Sequence, residues 1–216
     1  MRLGLFGLPG AGKGTQAERI AKALLIPHIS TGDMFREMQK GSSALAHRIR
    51  DTLAKGELVS DEMVTSIALE RLGRPDCKNG FILDGYPRTL NQAKTLESSA
   101  FSLDTLLVID VARSEILRRL SGRRVCEYCK SVFGEQDYQA EVCPNDGHPL
   151  RQRADDMPEA VSIRLELFER NFLPVLEFYE KLGRLRHVDG LGSTEVVFNR
   201  ISRVIDEVGD KVKNDK

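Results

Sequence analysis

Short apolar runs punctuate the chain at Leu3 to Phe6, Pro27 to Ile29, Phe81 to Leu83, Leu106 to Ile109 and Leu185 to Val188. Each is rich in β-favouring residues and bounded by polar or glycine-containing segments, the pattern of strands buried on both faces. Between them the spacing turns helical. Lys13 to Leu24 sets Ala17, Ile20, Ala21 and Leu24 on one face, and Asp61 to Leu72 stacks Val64, Ile67, Ala68 and Leu72 behind Ser60, an N-capping residue. Pro158 to Lys181 predicts a longer helix with Ile163, Leu167 and Phe168 on its apolar face and a kink at Pro174. Strands alternating with helices predict an α/β fold: a parallel sheet wrapped by helices through right-handed crossovers.

Two stretches break the alternation. Residues 30–59 carry helical pattern without a convincing strand, and residues 122–156 are rich in Cys, Gly, Pro and polar residues. Both read as insertions on the rim of the sheet, leaving 1–29, 60–121 and 157–216 as the core. The tail from Gly209 to Lys216 offers no apolar face and is expected to fray. A length of 216 residues suits one core with small inserted lobes rather than several independent domains.

Lys plus Arg and Asp plus Glu both number 32, so the net charge is zero. The field of the whole molecule favours neither nucleic acid nor an anionic membrane, and any bound anion must be met by locally concentrated basic residues. No stretch approaches the roughly 18 apolar residues of a membrane span, and the opening run is too short for a signal segment. A soluble, cytoplasmic protein that contacts neither membrane nor nucleic acid is expected.

The first apolar run leads straight into Gly7-Leu8-Pro9-Gly10-Ala11-Gly12-Lys13-Gly14-Thr15, with a helix beginning near Lys13. Strand, glycine loop and helix together make a phosphate cradle. Glycines turn successive N–H groups inward, the helix N-terminus adds its positive end, and Lys13 supplies a mobile charge for the outer phosphates of a nucleoside triphosphate. The pattern G-x-x-x-x-G-K is met from Gly7 to Lys13, yet Gly14 stands where a magnesium-binding Ser or Thr is usual, and Thr15 comes one place late. Asp84 falls at the C-terminal tip of the Phe81-Ile82-Leu83 run, the edge where open α/β sheets bind ligands. It is suited to hold magnesium or its waters, although an aspartate there can also cap a turn.

The segments Gly7 to Gln16, Ser30-Thr31-Gly32-Asp33-Met34, Asp84-Gly85-Tyr86-Pro87-Arg88-Thr89 and Gly122-Arg123-Arg124-Val125 resemble adenylate kinases of the long, lid-bearing bacterial type. The likeness runs from Met1 to about Val208, and the glycine after the lysine is normal for that family. The resemblance implies a three-layer P-loop NTPase fold with a five-stranded parallel sheet, an AMP-binding lobe and a lid. It implies a monomer that catalyses Mg2+-dependent ATP + AMP = 2 ADP and so balances the adenine nucleotides. Another nucleoside monophosphate kinase, with UMP, CMP or GMP as acceptor, is the alternative. The acceptor AMP is implied at Thr31, Arg36, Glu57, Leu58, Val59, Gly85, Tyr86, Pro87, Arg88 and Gln92. ATP is implied at Gly10, Ala11, Gly12, Lys13, Gly14 and Thr15, with Arg119 and Arg123 beside it, Val132 and Phe133 lining the lid and Gly192 near the adenine. Arg153 and Arg164 match arginines that clamp the transferring phosphate and border the AMP.

Two nucleotides bring several negative charges together, and the transferring phosphoryl group spreads charge over its oxygens. Lys13, Arg88, Arg123, Arg153 and Arg164 offset that charge, joined by Arg36, with planar forks that give bidentate contacts. A phosphate oxygen of AMP is already ionised at neutral pH, so no general base is required.

In the second insertion, Cys126-x-x-Cys129 is followed by Cys143-x-x-Asp146. Two facing knuckles are how a lobe without a core builds a closed tetrahedral zinc site. His148 is a rival for the fourth place, and a thiolate site accepts zinc or iron; the resemblance favours Asp146 and a structural Zn2+. Cys77 lies apart and reads as a partly buried thiol; His28, His47 and His187 lack ligand spacing.

Overall fold

The computed structural model describes residues 1–38, 47, 59–134, 141–153 and 156–214. Five strands, β1 (Arg2–Phe6), β2 (His28–Ser30), β3 (Phe81–Asp84), β4 (Thr105–Asp110) and β8 (Leu185–Asp189), form one parallel sheet in the order β2-β3-β1-β4-β8. All five predicted strands appear within a residue or two of the apolar runs that announced them.

Alternation along the strands sends side chains into two layers. Leu3, Leu5, Ile82, Leu107 and Ile109 face one cluster, completed by helices α1 (Lys13–Leu24), α5 (Arg113–Gly122) and α7 (Thr194–Asn214). Phe6, Phe81, Leu83, Leu106 and Val108 face the other, against α3 (Asp61–Leu72) and α4 (Leu90–Glu97). The long helix α6 (Pro158–Lys181) serves both: Val161 and Leu165 join the first cluster, Val175 and Tyr179 the second, with Pro174 between. Helix α2 (Thr31–Met38) follows β2 directly.

Several helix details depart from expectation. Ile163 is 58 % exposed, because the buried stripe of α6 runs through Val161, Leu165, Phe172, Val175 and Tyr179, and a residue two places from Val161 points to the opposite side. Of Leu167 only the helical backbone lies within the described residues. Leu24 sits exposed at the C-terminal end of α1. The tail does not unwind at Gly209: α7 continues to Asn214, its period carrying Val197, Ile201, Ile205 and Val208 inward.

Between α5 and α6 the chain leaves the main sheet and forms β5 (Arg124–Cys126), β6 (Val132–Phe133) and β7 (Leu150–Arg151), an antiparallel sheet in the order β6-β5-β7. Such short strands with little core behind them need another source of stability. Among the described residues no helix is long and apolar enough to cross a membrane.

Candidate active site

The chain turns from β1 into α1 through Gly7, Gly10 and Gly12, all at positive φ. At Gly10 a Cβ would stand 2.9 Å from Leu120 Cγ, so the loop backbone lies directly on α5 and only glycine fits. Ala11 N–H donates to the Leu8 carbonyl at 3.0 Å, closing the turn. Lys13 Nζ curls back to donate to the carbonyls of Gly7 (2.8 Å) and Leu8 (3.1 Å). Gly14 and Thr15 lie in the first turn of α1, with Thr15 exposed. A concave backbone leading into a helix N-terminus is suited to an anion.

Asp84 ends β3 beside this loop, paired in register with Leu5 of β1. A Cβ at Gly14 would lie 3.7 Å from Asp84 Oδ2, so the carboxylate faces the first turn of α1. From the β2 side, His28 Nε2 stands 3.5 Å from the same oxygen, buried and without a hydrogen-bond partner. A hard carboxylate oxygen beside a phosphate cradle fits magnesium.

The segment after β3 gathers many of the residues expected at the acceptor. Thr31 Oγ1 donates to the Gly85 carbonyl at 3.0 Å, and Arg88 Nε donates to the same carbonyl at 2.6 Å. Gln92 is buried; its Oε1 accepts from Arg88 N–H at 2.7 Å and its Nε2 donates to Asp61 Oδ1 at 2.8 Å. Thr89, the N-cap of α4, donates to the other oxygen of Asp61 at 2.5 Å. Tyr86 is fully buried, with its hydroxyl 3.2 Å from Thr65 Oγ1, so its ring belongs to the core; Pro87 is buried beside it. Val59 is half-buried just ahead of α3. Glu57 and Leu58 lie outside the described residues, as do the side chains of Arg36 in α2 and Arg164 in α6.

Arg119 donates from Nε to Glu115 Oε1 at 2.7 Å and from Nη2 to the Gly190 carbonyl at 3.0 Å, tying α5 to the loop that carries Gly192. The Arg118 and Arg119 guanidiniums hold the Glu115 carboxyl down at about 2. Arg124 bonds its own neighbourhood, the carbonyls of Ser121 and Arg123. Arg123 pairs with buried Asp156, and Arg153 is partly buried one turn ahead of it. Val132 is exposed on β6 and Phe133 partly buried.

In the small sheet, ligand atoms of Cys126, Cys129, Cys143 and Asp146 all lie within 4.8 Å of one another. Cys129 and Cys143 bring their sulfurs to 3.5 Å, too far for a disulfide and close to the edge of a tetrahedral thiolate site. Asp146 lies 3.3 Å from the Cys126 sulfur. Burial pushes the Cys143 thiol up to about 12, a proton that a metal ion would displace. His148 is not one of these four: its ring stacks on Tyr128 at 4.3 Å with Nδ1 3.3 Å from Asp146 Oδ1, and its backbone N–H donates to Asp146 at 3.0 Å. Three thiols and a carboxylate can hold a metal ion.

Residues 5–184 match the family model described as Adenylate kinase. The chain belongs to the adenylate kinase family. It is 43 % identical over 212 residues to the adenylate kinase of Ruminiclostridium cellulolyticum, covering 95 % of this chain and 99 % of that protein. It is 44 % identical over 212 residues to that of a Geobacillus species (95 % and 98 %), and 40 % identical over 215 residues to that of Thermosipho africanus (95 % and 99 %). The α/β core with its phosphate loop is the fold expected of a member. Asp61, Asp156 and His28 were not singled out by the motifs, because each meets its neighbour in the site from a place distant in sequence. A carboxylate next to an expected arginine, as in the Arg153 to Asp156 segment, is the one signal that pointed to any of them.

Proposed function

We propose that this chain catalyses reversible phosphoryl transfer from ATP to AMP, giving two ADP. The observation that carries this reading is the adjacency of two devices at neighbouring strand ends: the phosphate loop after β1, and the Asp84-to-Gln92 segment after β3, in register through Leu5 and Asp84. One cradles a triphosphate, and the other offers Arg88 and a buried amide to a second nucleotide.

In this reading Lys13 and the loop N–H groups hold the donor phosphates, while Arg88, Arg123, Arg153 and Arg164 spread positive charge around the transferring group. Asp84 would hold magnesium or its waters, and the ion when bound would screen the negative charge of the phosphates. The chain's own contribution is position and charge: the acceptor oxygen is ionised already, and no side chain has to take its proton. Thr31, Arg36, Glu57, Leu58, Val59, Gly85, Tyr86 and Pro87 shape the acceptor pocket. Arg119 and Gly192 flank the donor adenine. Residues 30–59 and 122–156 act as lobes that close over the substrates and exclude water, the competing acceptor. Cys126, Cys129, Cys143 and Asp146 hold a structural Zn2+ that shapes the second lobe. The chain acts as a cytoplasmic monomer.

Incubation with Mg-ATP and each nucleoside monophosphate in turn, with separation of the products, tests the assignment. Transfer to AMP is expected; transfer only to UMP, CMP or GMP would make it a different nucleoside monophosphate kinase.

A further inference from the structure

A glutamine amide reads a base only if its two ends are told apart. Rotating the terminal amide by half a turn exchanges a donor for an acceptor with almost no change of shape. Adenine presents the acceptor N1 and the donor 6-amino group; hypoxanthine and guanine present the donor N1–H and the acceptor O6. An unrestrained glutamine therefore serves either kind of base.

Gln92 is restrained on both sides. Arg88 N–H, which can only donate, stands 2.7 Å from Oε1, and the Asp61 carboxylate, which accepts when ionised, stands 2.8 Å from Nε2. The second oxygen of Asp61 is held by Thr89 Oγ1, so the carboxylate has a fixed orientation. Gln92 is 3 % exposed, so solvent does little to compensate a wrong turn of the amide. A flipped amide would set oxygen against carboxylate and N–H against N–H. After these two bonds one lone pair on Oε1 and one N–H on Nε2 remain, the complement of an adenine edge.

We infer that Asp61 is a specificity-determining residue: it locks the Gln92 amide in the orientation that accepts adenine and rejects 6-oxopurines. It acts through Gln92 and is a positioning residue. The inference rests on the reading that Gln92 faces the acceptor base.

The test compares AMP with IMP, which differ only at the 6-substituent and N1. In Asp61→Asn the replacement side chain can itself turn to offer either a donor or an acceptor, so the lock opens while shape is kept. The ratio of kcat/KM for AMP to that for IMP is expected to fall about tenfold or more, with the KM for ATP unchanged and the melting temperature recording the fold. In a Gln92→Leu background, Asp61→Asn is expected to leave the ratio where Gln92→Leu alone puts it. If wild type uses AMP and the ratio is unchanged in Asp61→Asn, with both substrates losing activity in parallel, Asp61 is only structural and the inference falls while the kinase reading stands. A shift in the ratio that persists undiminished in the Gln92→Leu background would likewise overturn it. Failure of wild type to phosphorylate AMP would remove both.

Discussion

Arg123 and Asp156 form a two-pronged ion pair: Arg123 Nε donates to Asp156 Oδ2 at 2.7 Å, and Nη2 donates to Oδ1. Arg123 directly precedes β5 and Asp156 follows β7, so the pair joins the entry and exit of the small sheet. The Asp156 side chain is wholly buried and that of Arg123 is 16 % exposed. The pair fixes the plane of the Arg123 guanidinium.

Removing one partner of a buried pair strands the other charge, at a cost of about 3 kcal/mol. Asp156→Ala is expected to lower stability by that order and to slow phosphoryl transfer as Arg123 loses its orientation. Urea unfolding beside steady-state kinetics measures both. A loss below about 0.5 kcal/mol would class the pair with exposed salt bridges.

Lys13→Ala should remove the charge at the outer phosphates and cut kcat by about 10³ or more. Its stability cost should be small, since the two loop carbonyls that Nζ now meets can turn to water. Near-normal turnover would mean that the loop is not the donor cradle.

Gly85 sits at φ +80°, and a Cβ there would lie 2.9 Å from Arg88 Nη2 and 3.1 Å from Thr31 Oγ1. The flexible end of Arg88 must yield, so Gly85→Ala acts on the acceptor side through displacement of that guanidinium. The KM for AMP is expected to rise about tenfold with roughly 1 kcal/mol of backbone strain, while the KM for ATP stays constant. Equal changes in both would show that the residue does not belong to one substrate.

Metal removal should separate shape from chemistry. Chelation, or Cys143→Ser, is expected to lower the melting temperature by about 5–10 °C while leaving turnover at low temperature largely intact. Immediate loss of activity with an unchanged melting temperature would contradict a structural metal.

Tyr179 is buried, its hydroxyl donating to Glu97 Oε1 at 2.9 Å, and Arg184 holds the other Glu97 oxygen at 2.6 Å. Burial and the Glu97 charge push the tyrosine well above its ordinary value of 10. The unfolded chain therefore releases this proton first, so stability is full below pH 10 and declines as pH rises beyond it. Tyr179→Phe should be less stable at neutral pH by about 1–2 kcal/mol, for the lost bond to a charged group, yet show a shallower alkaline decline. Denaturant midpoints from pH 8 to 11 test this; an unchanged alkaline slope would exclude Tyr179 as its source.

The five strands, the phosphate loop, α1, α3 and α6 were legible because each follows from local pattern: an apolar run, a glycine string, a cap and a period. Ile163 shows the limit of that reading, since a list of apolar residues along α6 does not say which stripe meets the sheet. The paired cysteine spacing marked the cluster of three thiols and a carboxylate. Spacing alone left His148 as a rival to Asp146; in the folded sheet the Asp146 carboxylate reaches the sulfurs, while the His148 ring lies on Tyr128.

What the sequence by itself determined is the layered α/β class and the glycine loop that runs from a strand into a helix at Lys13, because apolar run, glycine string and lysine lie within a few residues of one another. Only the tertiary structure decided that Asp61 holds Gln92 and that Asp156 holds Arg123. These pairs span 31 and 33 residues, and an orienting contact depends on where two elements pack, which no local pattern records.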